Sequence, residues 1–238
     1  MEKVLLALWK SDAVTGDTLR GQLLALAPEM EAAPGVRGLR LAVADSAVAA
    51  AAARRMEGQP PLPDALVSLW VDSAAQSRWH ADRLEAIAIR QCSYLVSEAE
   101  PLINQAAHPT PPGERMYGMC QVVFLSPPAD MPRDQFLAVW KDSHTQVAVD
   151  TQSTFGYRQN LVVQNLHGDV LPCEAIVEEN FPPEAMASDH AFYDSGGDEA
   201  LLQSNQQAMI ASCSRFIDLA RINVVPMSEY PIRLPAVP

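Results

Sequence analysis

The chain lays out one order of elements twice, and this repetition restricts its fold more than any single motif does. Val4 to Trp9 and Gln121 to Leu125 are apolar strands, each followed by a polar loop. Thr15-Gly16-Asp17-Thr18-Leu19 then opens a helix, as Met131-Pro132-Arg133-Asp134-Gln135-Phe136 does later. Pro132 suits a first helical turn, where its missing N–H has no partner to lose. Leu19, Leu23 and Leu26 space one apolar helix face, and Phe136, Trp140 and Val147 space the other. Strands of roughly Val36 to Val43 and Tyr157 to Val163 follow, and then Asp64 to Trp70 against Glu174 to Asn180. Long helices begin near Ala74 and Ser188. Each half closes on a cysteine-containing segment, Gln91 to Val96 or Ser212 to Ile217.

Each half therefore reads β-α-β-β-α-β, the order of a ferredoxin-like unit. Between them, Pro101 to Pro112 is rich in proline, which removes donors and fixes φ. The division is residues 1-105, a linker at 106-113, and residues 114-238. A single half leaves one sheet face bare, because both helices pack on the other side. A second copy covers it. The expected fold class is thus α+β: two tandem ferredoxin-like (βαββαβ) repeats packed sheet to sheet as a dimeric α+β barrel within one chain, with a central cleft suited to a small ligand.

Charge narrows the partners. The net charge is -12 over 238 residues, with no Lys/Arg cluster, so neither nucleic acid nor an anionic membrane is an expected partner. The Ala-rich run from Ala42 to Ala53 is interrupted by Asp45 and is too short to span a bilayer. Met1 to Lys10 runs into Ser11-Asp12 without a small-residue cleavage site and reads as a first strand. The expected location is cytoplasmic. Cys92, Cys120, Cys173 and Cys213 are scattered, the five histidines lack ligand spacing, and neither G-x-G-x-x-G nor G-x-S-x-G occurs. No metal and no cofactor is expected.

The stretch from Met131 to His144, followed by Phe155-Gly156-Tyr157-Arg158-Gln159-Asn160, resembles the EthD family. The shared pattern is an aromatic, a Trp or Tyr four residues on, a His, and then a strand opening with Tyr and Gln or Asn. Glu174 to Phe181 fits the family's later strand, and the resemblance spans residues 114 to 238. The first half is a degenerate copy, with Leu23 where the second has Trp140 and Ala27 where it has His144. One working pocket per chain follows. The resemblance implies a dimeric α+β barrel superfamily of cyclases, isomerases, monooxygenases and ligand binders.

Phe136, Trp140 and His144 fall on one helix face, with the imidazole expected at a helix C-terminus beside the sheet. There the helix dipole favours the imidazolium and burial opposes it, which suits general acid/base work. A histidine that only caps the last carbonyls would look the same in sequence, and the resemblance is what favours catalysis. Tyr157 is the second catalytic candidate, as a phenol donor. Trp140, Asn160, Glu178 and Asn180 are the expected substrate-binding residues. Without nucleotide, metal or activated-serine signatures, an enzyme here works by proton transfer and cavity shape. The expectation is a cofactor-independent lyase or isomerase (dehydratase, decarboxylase or isomerase) acting on a small aromatic or polyketide-like carbonyl compound. The alternative is a non-catalytic small-molecule-binding or accessory protein of a degradation pathway. A homodimer of the fused barrel is compatible with either.

Overall fold

The computed structural model describes residues 1–235. The first half runs β1 (Glu2–Trp9), α1 (Gly16–Ala32), β2 (Val36–Val43), a two-residue β3 (Met56–Glu57), β4 (Ala65–Val71), α2 (Ser77–Leu84) and β5 (Arg90–Leu102). A short α3 (Asn104–Ala107) follows. The second half runs β6 (Met119–Leu125), α4 (Arg133–Val139), α5 (Thr145–Thr151), β7 (Gly156–Gly168), β8 (Ala175–Phe181), α6 (Asp189–Phe192), α7 (Glu199–Cys213) and β9 (Asn223–Arg233).

Strand order is β5-β1-β4-β2 in one half and β7-β8-β6-β9 in the other. The halves do not simply face each other as two sheets. β5 pairs antiparallel with β7 and β2 with β9, so eight strands close into one antiparallel barrel with helices outside. Closure removes the exposed edges that two separate sheets would keep. β5 and β7, thirteen residues each, make one of the two seams.

Alternation along each strand then sorts side chains into two environments. Leu5, Ala7, Tyr94, Cys120, Val122 and Phe124 fill the lumen. Val4, Leu6 and Leu8 face outward and pack with Leu19, Leu23 and Met30 of α1. On the second half, Val123, Val177 and Val224 face outward under Phe136, Trp140 and Phe216.

Two local expectations change. Ser212 to Ile217 is not the last strand: α7 continues to Cys213, and Phe216 and Ile217 turn into the core beneath the helices. The last strand is β9, whose Pro226 and Pro231 disguise it in the sequence. It tolerates them because it changes partner along its length, pairing β6 from Asn223 to Met227 and β2 from Ser228 to Arg233. The proline-rich stretch also holds more structure than a linker needs. β5 extends to Leu102, and α3 drives a fully buried Asn104 against the barrel. Among the described residues no helix is long and apolar enough to cross a membrane.

Candidate active site

α4 and α5 form one continuous helix, joined by a π-helical turn at Trp140–His144 in which the Thr145 N–H donates to the Trp140 carbonyl. The wider turn rephases the helix. Four-residue steps drift around an ordinary α-helix, yet here Phe136, Trp140, His144 and Ala148 are all buried on the sheet side. His144 therefore lies in mid-helix and not at a C-terminus, so no helix-end carbonyls act on it.

The imidazole points away from the lumen, into a cleft of about 380 Å³ between the outer sheet face and α7. Val123, Val177, Val224, Ile217 and Met209 wall it, and His144, Tyr157, Glu179 and Gln121 bring polar atoms to it. His144 Nδ1 lies 2.9 Å from Ser212 Oγ, and its ring packs 4.7 Å from that of Phe216. Burial, reinforced by the Arg215 charge, lowers its pKa to about 4, so the imidazole is neutral at pH 7. The Trp140 indole N–H donates to the Tyr157 hydroxyl at 3.2 Å. Burial and the nearby Glu179 push the Tyr157 phenol far above its usual range, which keeps it protonated and able to donate.

Glu179 completes the group. Its carboxyl is pushed up to about 7 by burial alone. A carboxyl that titrates near neutrality inside an apolar cleft is suited to taking and returning protons. Sequence reasoning passed over this residue in favour of Glu178 and Asn180. The pairing of β7 with β8 reveals it: Tyr157 stands opposite Glu179, so the two share a sheet face.

The same alternation divides the expected site residues. Asn160, Glu178 and Asn180 project into the lumen, on the far side of the sheet from His144 and Tyr157. Trp140 is fully buried behind Tyr157 and supports it without forming the cleft wall. The lumen group is an ionic network around Arg158, itself 0% exposed. Arg158 Nη2 lies 2.5 Å from Glu229 Oε2 and 3.3 Å from Glu178 Oε2. Lys3 reaches Glu178 at 3.4 Å, while Asn160 and Asn180 donate to Glu178 and Glu229 at 3.1 and 2.9 Å. Burial alone would raise the Glu178 pKa, but Arg158, Lys3 and Arg40 hold it well below the usual carboxylate range. Cys120 joins Glu178 and Glu229 with donor atoms within 4.8 Å of one another. Burial pushes its thiol well up and the carboxylates already face cations, so this trio is a poor metal cage.

No protein-family model matches the chain, and neither does any curated protein. Solved structures do. An "anthrone oxidase-like protein" has a TM-score of 0.56 at 12% identity, over 100% of this chain and 96% of its own. A "putative monooxygenase" from Lactobacillus acidophilus NCFM has a TM-score of 0.50 at 11% identity, over 98% and 96%. Likeness at such identity shows the fold alone, a closed antiparallel α+β barrel, and leaves the reaction to the site itself.

Proposed function

We propose that the chain is a cofactor-independent enzyme of lyase or isomerase type, acting on a small aromatic or polyketide-like carbonyl compound in the cleft beneath α7. The observation that carries this reading is the cleft itself, where Glu179 stands opposite Tyr157 across β7 and β8 and shares apolar walls with His144; burial there raises the carboxyl toward neutrality and keeps the imidazole neutral and the phenol protonated. Glu179 in its ionised form takes a proton from an acidic carbon next to the substrate carbonyl. Tyr157 donates a hydrogen bond to the carbonyl oxygen as negative charge develops there. His144, neutral, accepts a hydrogen bond that orients a substrate hydroxyl, and the protonated Glu179 then returns its proton to another carbon or to the leaving oxygen, which closes the proton balance. The equal strand order of the two halves supports their origin as tandem ferredoxin-like repeats, and the residues from Met131 to Asn160 support EthD-like ancestry for the second. Removing a proton from an activated carbon is also a reasonable start to oxidising an anthrone-like compound, so the names of the two structural relatives fit the same cleft.

The test is a panel of aromatic and polyketide-like carbonyl compounds, incubated with wild type, Glu179→Gln and His144→Ala and followed by mass spectrometry. Each variant should stay folded; Glu179→Gln should lose turnover by about 10²- to 10⁴-fold, as expected for a missing acid/base group, and His144→Ala should lose less of it. Binding without any product across the panel would instead identify a container. Turnover that survives both changes would remove the cleft from the chemistry.

A further inference from the structure

Three polar side chains stand in one row across the outer sheet face of the second half. Tyr157 on β7 lies opposite Glu179 on β8, and Glu179 lies opposite Gln121 on β6. The row continues to Pro226 on β9, whose side chain is apolar. Tyr157, Glu179 and Gln121 all line the α7 cleft. Directly opposed side chains have Cβ atoms about 5 Å apart, so the Glu179 carboxyl is flanked at that distance on both sides. Gln121 is 9% exposed; among the described residues its carboxamide makes no hydrogen bond, and its polar atoms are not sealed from the cleft. A ligand that fills the cleft strips water from this amide and has to offer a polar atom in return.

The reaction proposed for the cleft gives Tyr157 one carbonyl oxygen and Glu179 the neighbouring C–H. Gln121, on the other flank of the same carboxyl, has no part in it. The carboxamide alone would take a hydroxyl or a carbonyl, and acidity selects between them. A carboxylate, even one raised to about 7 by burial, is a weak base toward a carbon beside a single carbonyl. A second carbonyl spreads the carbanion charge over two oxygens and makes the same C–H far more acidic, which brings the proton transfer within reach of Glu179. A carboxylate in that second place would instead set a negative charge beside the ionised Glu179. We infer that the α7 cleft takes a 1,3-dicarbonyl compound, with one carbonyl oxygen on Tyr157, the other on the Gln121 N–H, and the carbon between them facing Glu179. The inference rests on Glu179 as the proton acceptor and gives that reading its substrate class. In this step the C–H bond pair passes into the enolate, the proton goes to Glu179 and returns to carbon or oxygen, and nothing is oxidised or reduced. Gln121 is then the residue that determines specificity.

Calorimetric titration of the full chain with 1-phenylbutane-1,3-dione and with 1-phenylbutan-1-one, which has the same carbon skeleton and one carbonyl fewer, tests the ligand class. The diketone should bind more tightly by about 3- to 10-fold, the range of one hydrogen bond. Gln121→Met, close in shape but without the amide, should erase that margin by weakening the diketone alone. Deuterium uptake at the central carbon of the diketone, followed by NMR against the rate in buffer, tests the Glu179 reading separately and should be lost in Glu179→Gln. Equal binding of the two ketones by wild type would overturn the ligand class even where Glu179→Gln abolishes the exchange, and so would binding of neither. Gln121→Met that weakens both ketones alike would overturn it too, since that is the mark of a structural role. A margin that depends on Gln121 upholds the ligand class, and exchange that survives Glu179→Gln would then remove Glu179 alone from the chemistry. If Gln121→Met does not fold, the wild-type comparison decides.

Discussion

Glu178 and Glu179 are neighbours in sequence with opposite electrostatic fates, because a strand sends successive side chains to opposite faces. Glu178 meets Arg158 and Lys3 in the lumen; Glu179 meets apolar walls in the cleft. The consequence is a stability that depends on pH in a defined direction. The folded pKa of Glu179 is about 7 against an ordinary 4.5, so the folded state holds the extra proton between those values. Its contribution is full below pH 4.5 and is lost as pH rises through 7. Glu179→Gln removes the loss: its stability should match wild type near pH 4 and exceed it by roughly 3 kcal/mol above pH 7. Urea denaturation across that range measures this, and a constant difference at every pH would contradict it. His144 acts in the other sense. Its folded pKa of about 4 lies below the ordinary 6.5, so its contribution is full above pH 6.5 and fades as pH falls toward 4. The two slopes oppose each other between pH 4.5 and 6.5, and only the single variant separates them.

The helix that carries His144 works through its π turn, which holds Phe136, Trp140 and His144 to one face while Trp140 orients Tyr157. Trp140→Phe should keep the packing but lose the indole N–H, costing about 1 kcal/mol in thermal unfolding and lowering kcat with little change in KM. An unchanged kcat would show that Tyr157 needs no such support. Part of this was legible in the sequence. β2 runs from Val36 to Val43 as expected, and the shared face of Phe136, Trp140 and His144 is real. The π turn was not legible, because an i→i+5 bond has no residue signature of its own. β9 was hidden by Pro226 and Pro231, which are admitted only because its partner changes along the strand. The division of Tyr157 from Glu178 was also out of reach, because the facing of β8 is set by its register against β7 and a one-residue slip would reverse it.

At the scale of the whole molecule, the two seams make each half depend on the other. Residues 114–238 expressed alone would expose the edges of β7 and β9 that β5 and β2 cover. That fragment should self-associate, and light scattering that finds a stable monomer would count against the seams as essential. The ionic network crosses the same boundary, with Lys3 and Arg40 from the first half and Arg158, Glu178 and Glu229 from the second. Arg158→Leu should therefore cost about 3–5 kcal/mol in denaturant unfolding, the range for leaving buried carboxylates without their partner. In the first half, Leu23 and Ala27, which the repeat in the sequence sets against Trp140 and His144, are buried in the core under α1 and bring no polar group there. The proposed reaction turns on the Glu179 carboxyl, whose titration is directly observable. Isotope-edited infrared spectroscopy of the glutamate carboxyl bands, wild type against Glu179→Gln, should isolate one carboxyl with a midpoint near pH 7. A Glu179 midpoint near 4.5 would contradict the proposal that this cleft moves protons.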